Sequence, residues 1–251
     1  MAKPYFPKVD HEDGVSETYL KSWDQFHDVV GTLLNHPEYI FRGQQDAQWQ
    51  VEPSLTRLLG TKSRTKTVGR EYLSRFRLSL RGRLDDHLLA TLNDNELLAI
   101  GQHNGLATPL LDWTTSPYVA LFFTYEHPDH PKQSAYRAVY ALHESFVSAE
   151  SRSMKAGKIE FIRPSSGFNQ RLVHQNGLFT KSPPFTDIQC WVERQFENVD
   201  EAIFIKIHVP NSDRVPCLKA LNRMNINSAS LFPDINGSSR FCNMAMEIPQ
   251  Y

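Results

Sequence analysis

The sequence predicts an α+β fold in which N-terminal helices pack on a mixed or antiparallel sheet. Apolar residues recur at intervals of three and four in residues 22–34 and 67–92, as on one face of a helix. Short β-branched runs dominate the second half, and residues 202–209 are the clearest of them. Because helices come early and strands late, this order favours α+β over a doubly wound parallel sheet.

Length and motif placement indicate one domain. The chain has 251 residues, which is long for one domain and short for two. Three polar motifs, at residues 41–44, 101–123 and 169–180, lie far apart in the sequence and must meet to form one site. We therefore expect a single domain over residues 19–251, preceded by a polar, proline-containing loose arm over residues 1–18.

The first half contains helix signals interrupted by two short strands. Asn104-Gly105 stops one helix, and Ser116-Pro117 starts another, with Ser116 as N-cap and Pro117 at the first helical position. Ser22 is the expected N-cap of the first helix. The predicted elements are, in order, a helix over 22–34, a strand over 39–43, a polar loop over 44–53, helices over 67–92 and 95–103, a strand over 108–113 and a helix over 117–124.

The second half is predicted to be rich in strands. The Asn176-Gly177 step is typical of a turn, which makes residues 170–180 a candidate hairpin with one polar face. The predicted elements are strands over 137–142, 160–162, 177–180 and 202–209, a helix over 213–224, and a loop with a short turn over 228–236.

Composition narrows the class of protein. The net charge of −1 and the pI of about 6.8 do not predict a broad, positively charged surface that would bind duplex DNA or an anionic membrane. Residues 57–83 are locally basic; a solvated helix face explains them, and phosphate or nucleic-acid contact is the alternative. The three cysteines lack metal-ligand spacing, and no signal core or membrane-length apolar run is present. We expect a cytoplasmic protein with no metal and no membrane partner.

The segment 101–123 carries the densest set of candidate site residues. It places polar side chains in an apolar frame, where each unpaired buried group costs about 1–3 kcal/mol. Asp112 lies between apolar residues and needs a partner, for which Arg42 and His103 are the candidates. A structural ion pair and helix capping explain part of this segment equally well. The candidates are Gln102, His103, Asp112, Thr114 and Thr115.

Arg42 follows an apolar strand and precedes Gly43. An arginine on the interior side of a strand must be paired or bind an anion, and its planar fork suits phosphate. Gly43 permits close approach of a ligand or of another backbone. A surface arginine at a strand end is the alternative. We expect Arg42 to bind phosphate in the main pocket.

Arg171 and Gln175 are four residues apart and would share one face of a strand. We expect that face to lie opposite Arg42, with an anion between Arg42 and Arg171. In the alternative, Arg171 pairs with Glu160 on a neighbouring strand, outside any pocket.

Three motifs carry a resemblance to a known family. Phe41-Arg42-Gly43-Gln44, the segment 101–123 and the segment Asn169-Gln170-Arg171 to Thr180 resemble the FRG domain family, from about Trp23 to about Gly237. The order of a strand with Arg-Gly, a Thr/Ser strand entering a helix, and a later strand is also similar to the Arg–Ser–Glu ADP-ribosyltransferases.

The second resemblance implies NAD as cofactor. It implies that Arg42 and Gly43 hold the dinucleotide phosphates, together with the cofactor-binding candidates Gln102, Thr114, Thr115, Arg171 and Gln175. The family uses a glutamate at the third motif, where this chain has Asn169, Gln170 and Arg171. Without a negative charge near the ribose, bond cleavage loses electrostatic stabilisation. The substitute candidates are Asp112 and Glu160, then Glu71, with His103 as a further catalytic candidate.

Two functions follow from these expectations. The first is an NAD-dependent ADP-ribosyltransferase or NAD glycohydrolase that acts on a protein or nucleic-acid acceptor, as a toxin or phage-defence effector does. The second is a non-catalytic nucleotide- or nucleic-acid-binding module, which the missing glutamate favours. The sequence leaves open whether the chain is an enzyme.

Overall fold

The computed structural model describes residues 13–60, 67–164, 170–183 and 185–251. The strands are β1 (Val15–Tyr19), β2 (Tyr39–Gln44), β3 (Leu110–Thr114), β4 (Tyr136–His143), β5 (Glu160–Ile162), β6 (Gly177–Lys181) and β7 (Phe204–Pro210). The helices are α1 (Phe26–Leu33), α2 (Ser54–Leu59), α3 (Thr67–Ser79), α4 (Asp86–Thr91), α5 (Asp94–His103), α6 (Pro117–Tyr125), α7 (Glu144–Ser153), α8 (Gln170–His174), α9 (Ile188–Gln195), α10 (Arg214–Arg223), α11 (Ser228–Leu231) and α12 (Ile235–Glu247).

The seven strands found among the described residues form one mixed sheet in the order β1-β7-β4-β2-β3-β6-β5. β1 runs parallel to β7, and the other neighbouring pairs are antiparallel. The α+β prediction is confirmed, although the helices are spread along the whole chain. No helix among the described residues is long and apolar enough to cross a membrane.

The sheet divides into two parts between β2 and β3. β2 pairs with β4 over six residues, whereas β2 and β3 share the single pair Phe41 and Thr114. The strands β2 and β3 separate beyond that pair, so the residues that follow Phe41 are paired with β4 on one side and have no paired strand on the other. This gap is where the cavity described below opens.

Helices cover both faces of the sheet. On one face, α1, α6 and α10 bury Phe26, Phe122 and Leu218 against the sheet. On the other face, Ile40 and Trp191 belong to a second buried cluster. β2 is therefore buried on both faces, which explains its nearly continuous apolar sequence before Arg42.

The helix after β3 begins as predicted. The Ser116 hydroxyl accepts a hydrogen bond from the Val119 backbone N–H at 3.4 Å, and Pro117 occupies the first helical position. At the first predicted helix, by contrast, Ser22 makes no capping hydrogen bond and precedes a short 3-10 turn, Trp23–Gln25.

The predicted loose arm over residues 1–18 is wrong in its last residues. Residues 1–12 lie outside the described residues, but Val15–Tyr19 is the edge strand β1. Its alternate side chains Ser16 and Thr18 are buried. Polar residues at the buried positions concealed the period-two pattern that predicts a strand.

Two further elements differ from the prediction. The helix expected over 67–92 is interrupted between α3 and α4, where Gly82 has a φ of +72° that a helix cannot accommodate. Asp85 then caps α4. The loop expected over 228–236 contains α11 and leads into α12, which Asp234 caps by accepting from the Gly237 N–H.

The expected strand at 170–175 is helix α8 and the turn that follows it. Residues four apart also share one face of a helix, so Arg171 and Gln175 still lie on the same side. Asn169 lies outside the described residues.

Gly43 is required by the packing of α6 on β2. A Cβ atom at Gly43 would lie 2.0 Å from the Ala120 carbonyl oxygen and 2.6 Å from the Thr124 N. We expected Gly43 to permit close approach of a ligand or of another backbone, and the structure shows the close approach of the α6 backbone.

We predict that Gly43→Ala lowers the free energy of unfolding by at least about 2 kcal/mol, because the helix backbone cannot move away without disturbing the core. Urea denaturation measures the change. Gly31→Ala is the control: Gly31 is in α1 with no atom within 4 Å of the added Cβ, so stability should rise by about 0.5–1 kcal/mol. Equal effects of the two substitutions would contradict the packing argument.

Candidate functional site

A cavity of about 340 Å³ opens at the gap between β2 and β3. Its walls come from both strands, from the ends of α5, α6 and α8, and from the segment before α12. Eight of the predicted site residues line it: Arg42, Gly43, Gln102, His103, Asp112, Thr114, Arg171 and Gln175. The three polar motifs therefore meet at one cavity, although their roles there remain predictions.

Arg42 bridges the gap between the separating strands. Its side chain is 17% exposed, and Nη1 donates to the Asp112 carbonyl oxygen at 2.8 Å. The Asp112 carboxylate is 3.7 Å from the same Nη1 and is 64% exposed. Burial lowers the pKa of Arg42, and Asp112 opposes this shift. The expected proximity of Arg42 and Asp112 is confirmed, but Asp112 faces the open cavity instead of an apolar interior.

The Nε edge of the Arg42 guanidinium makes no hydrogen bond within the part of the chain that the structure describes. Nε is buried and makes no hydrogen bond to any described residue. The hydrogen bond that Arg42 does make uses Nη1, on the opposite side of the group. The edge formed by Nε and Nη2 is one of the two edges with which a guanidinium binds an oxyanion in a bidentate manner. An unpaired buried donor costs about 1–3 kcal/mol unless an acceptor reaches it.

Arg171 is paired with Asp234 and not with Glu160. Its Nε and Nη2 donate to the Asp234 Oδ2 at 3.1 and 2.5 Å, and its guanidinium lies 5.2 Å from the centre of the Phe232 ring. The repulsion that we expected to require an anion between Arg42 and Arg171 is thus compensated by protein carboxylates. The argument for an anion now rests on Arg42 alone.

His103 ends α5 and lines the cavity near this ion pair. Burial lowers its pKa, and the positive charge of Arg171 lowers it further while Asp234 opposes the shift. A neutral imidazole is therefore favoured at His103, and such a ring can both donate and accept a hydrogen bond.

Several predicted ligand groups are occupied by structural contacts. The Thr114 hydroxyl donates to the Gln175 carbonyl oxygen at 2.6 Å and accepts from the Ser116 N–H at 3.0 Å. The Gln102 side chain accepts from the Thr108 hydroxyl. The Gln175 side chain donates to the Leu231 carbonyl oxygen at 3.1 Å. These contacts shape the wall of the cavity and leave Thr114 little capacity to bind a ligand.

Three predicted candidates lie outside the cavity lining. Thr115 is exposed, and its backbone N–H donates to the Asn176 carbonyl oxygen. Glu160 is on the edge strand β5 and pairs with Lys158 at 3.2 Å. Glu71 is on the exposed side of α3. The sequence could not show that these residues lie outside the cavity, because Thr and Glu occur on edge strands and solvated helix faces as well as in binding sites.

Glu126 is the cavity carboxylate that the sequence prediction missed. It follows α6, is 8% exposed, and accepts a hydrogen bond from Arg240 Nη1 at 3.0 Å. His127 Nε2 lies 3.9 Å from its other oxygen. A glutamate that follows an apolar helix is commonly exposed to solvent. The sequence therefore gives no sign that Glu126 is buried in the cavity wall, and only its three-dimensional placement shows this. Glu126 and Asp112 are the two carboxylates among the described lining residues.

The fold and cavity define an α+β domain with a ligand-sized cavity, lined by both polar and apolar residues, at a gap in its sheet. The FRG domain family model matches residues 37–133, which supply Arg42, His103, Asp112 and Glu126. This match supports the resemblance to the FRG family. Comparison with curated proteins and with solved structures gave no match. The resemblance to ADP-ribosyltransferases therefore gains no support from them.

The ion pair between Arg171 and Asp234 predicts a pH-dependent contribution to stability. The hydrogen bonds from Arg171 hold the pKa of Asp234 below the ordinary value of 3.8. A carboxylate with a lowered folded-state pKa stabilises the fold above its unfolded-state pKa, and this contribution is lost as the pH falls through the folded-state value. Asp234→Asn keeps an oxygen that can cap α12 but removes the charge.

We expect Asp234→Asn to lower the free energy of unfolding at about pH 7, and the difference from the wild type to shrink at about pH 3. Urea titrations at both pH values measure it. Asp85→Asn is the control, because Asp85 caps α4 without a described ion pair. A deficit of the same size at both pH values would mean that capping, and not the ion pair, is responsible.

Proposed function

We propose that the cavity binds a nucleotide through its phosphate groups, with Arg42 as the principal ligand. The observation that carries this proposal is the Nε–Nη2 edge of Arg42, which is buried at Nε and makes no hydrogen bond to a described residue. A phosphate oxygen pair would satisfy that edge in a bidentate manner and would offset the cost of the unpaired donor. The FRG domain match fits, at most, a module related to nucleotides or nucleic acids.

NAD is the nucleotide that we propose. A second cavity of about 610 Å³ adjoins the first and shares Arg42, Gly43, Phe123 and His127 with it. Phosphates at Arg42 would leave room on both sides, which suits a dinucleotide better than a single phosphate ion. In this arrangement Arg42 holds the phosphates, and His103 offers a neutral hydrogen-bonding group to one end of the molecule.

Arg42→Ala tests the phosphate ligand. We expect it to weaken binding of ADP and of NAD by roughly 1.5–3 kcal/mol, the range for a hydrogen bond to a charged group. Arg42→Lys should restore only part of the affinity, because an ammonium lacks the planar fork. Isothermal titration calorimetry measures both, after circular dichroism shows that each variant is folded.

Arg163→Ala is the matched control, since Arg163 pairs with Glu144 on the surface and lines neither cavity. Undiminished nucleotide affinity in a folded Arg42→Ala variant would exclude Arg42 as the phosphate ligand. Equal losses in both arginine variants would point to net charge and not to a specific site.

The presence of Glu126 favours a second, catalytic candidate function. When bound, NAD supplies a ribose carbon that can pass to water or to a protein or nucleic-acid acceptor as nicotinamide leaves. Positive charge develops on that ribose, and a carboxylate in a cavity sheltered from solvent stabilises it. Glu126 is buried and lines the first cavity, so we assign it this role ahead of Asp112, which is largely exposed.

Glu126→Gln should abolish at least about 99% of any nicotinamide release while NAD binding persists, because the amide keeps the shape of the side chain without its charge. The assay follows nicotinamide with and without cell extract as a source of acceptor. Glu160→Gln is the control, since Glu160 lies outside the cavity lining.

If the wild type binds NAD but releases no nicotinamide under either condition, the chain is a binding module. Activity retained in Glu126→Gln but lost in Asp112→Asn would move the catalytic role to Asp112. A role as a toxin or phage-defence effector would be tested afterwards, by expressing active and Glu126→Gln proteins and comparing cell growth.

A further inference from the structure

The second cavity, which we call the Trp49 cavity, contains an exposed aromatic ring beside two arginines. It is lined by Arg42, Gly43, Gln44, Gln45, Gln48, Trp49, Gln50, Glu52, Arg57, Phe123 and His127. Trp49 is 48% exposed and lines this cavity, so part of its indole ring can be reached by a ligand there. Neither the family match nor the sequence motifs assign a role to this residue.

The Trp49 indole is held as a flat platform. The His130 imidazole stacks against it, with ring centres 5.4 Å apart and planes within 12° of parallel. The His130 ring is itself oriented on both sides: Nε2 is 3.2 Å from Asp46 Oδ2, and Nδ1 accepts from the Lys132 N–H at 3.2 Å. His130 covers only part of the indole. The area that stays exposed can stack with a second planar group.

The loop that carries Trp49 is tied to the rest of the fold. The Asp46 side chain accepts from the backbone N–H groups of Gln48 and Ser134, at 2.9 and 3.0 Å. The buried Gln44 side chain donates to the Trp49 carbonyl oxygen at 2.8 Å. A platform that is ordered before binding loses little conformational entropy when a ligand stacks on it.

The charges of the Trp49 cavity suit a phosphate next to the platform. Arg57 adds to the lowering of the Arg42 pKa, so its positive charge acts on Arg42. Glu52 is the one carboxylate among the described lining residues, so the two arginines leave a net positive charge that favours an anion. Gln48 and Gln50 add side-chain amides, which can donate to and accept from the edge of a base.

We infer that the Trp49 cavity is a base-binding subsite, in which the indole stacks on the nucleobase of the ligand whose phosphate lies at Arg42. This inference rests on the proposed function and adds to it the class of group that the ligand carries. Stacking of a base on an aromatic side chain is a substantial contribution to binding and tolerates different bases.

Calorimetry with three probes tests the inference on the full chain: ADP, inorganic pyrophosphate and a short single-stranded oligoadenylate. We expect Trp49→Ala to weaken ADP binding by about tenfold and to leave pyrophosphate binding unchanged. Trp49→Phe should restore most of the loss, because it keeps a flat ring. Phe146→Ala is the control, since Phe146 is an exposed aromatic residue on α7, outside both cavities.

Each other outcome is decisive. If Trp49→Ala binds ADP as tightly as the wild type, the base subsite is wrong, whereas Arg42-dependent pyrophosphate binding would still support the phosphate site. If Trp49→Ala weakens the binding of ADP and of pyrophosphate equally, Trp49 affects binding only by ordering its loop, and the inference is again overturned. If the wild type binds none of the probes, both proposals fail. Trp49-dependent binding that is tighter for oligoadenylate than for ADP would support the subsite and identify a nucleic-acid strand as the source of the base.

Discussion

The two parts of the sheet are joined beside the cavity by the Arg42 side chain. β2 and β3 share one backbone pair, and beyond it the guanidinium replaces the missing strand pairing by donating to the Asp112 carbonyl oxygen. The same group borders both cavities. A ligand that binds Arg42 therefore contacts a residue that also links the two parts of the sheet.

Each arginine at the first cavity lies near a carboxylate, but these ion pairs differ in their geometry and in their exposure to solvent. Arg171 donates a hydrogen bond to the Asp234 carboxylate, and Arg240 donates one to the Glu126 carboxylate at 3.0 Å. The Arg42 guanidinium and the Asp112 carboxylate are separated by 3.7 Å, and the carboxylate is largely solvated. Since solvent screens that attraction, Arg42 is the cavity cation whose charge is least satisfied. This difference, and not the number of arginines, makes Arg42 the point where an anion gains most.

Local patterns predicted the elements whose sequence matches their burial. The Ser116-Pro117 helix start and the strand at Glu160–Ile162 were identified because capping residues and apolar runs act over a few positions. β1 was missed because Ser16 and Thr18 occupy its buried positions. The site was predicted as a set of residues, whereas the Arg171–Asp234 pair and the placement of Glu126 depend on contacts across 63 and 114 residues, respectively, which no local pattern encodes.

The position of β1 at the edge of the sheet has a consequence for biosynthesis. Val15 pairs with Phe204, so β1 leaves the ribosome well before its partner strand β7 has been made. Contacts this distant in sequence close large loops and form slowly. Until β7 has been made, β1 is an unpaired strand that can associate with other chains, and chaperone protection of this nascent segment would limit aggregation.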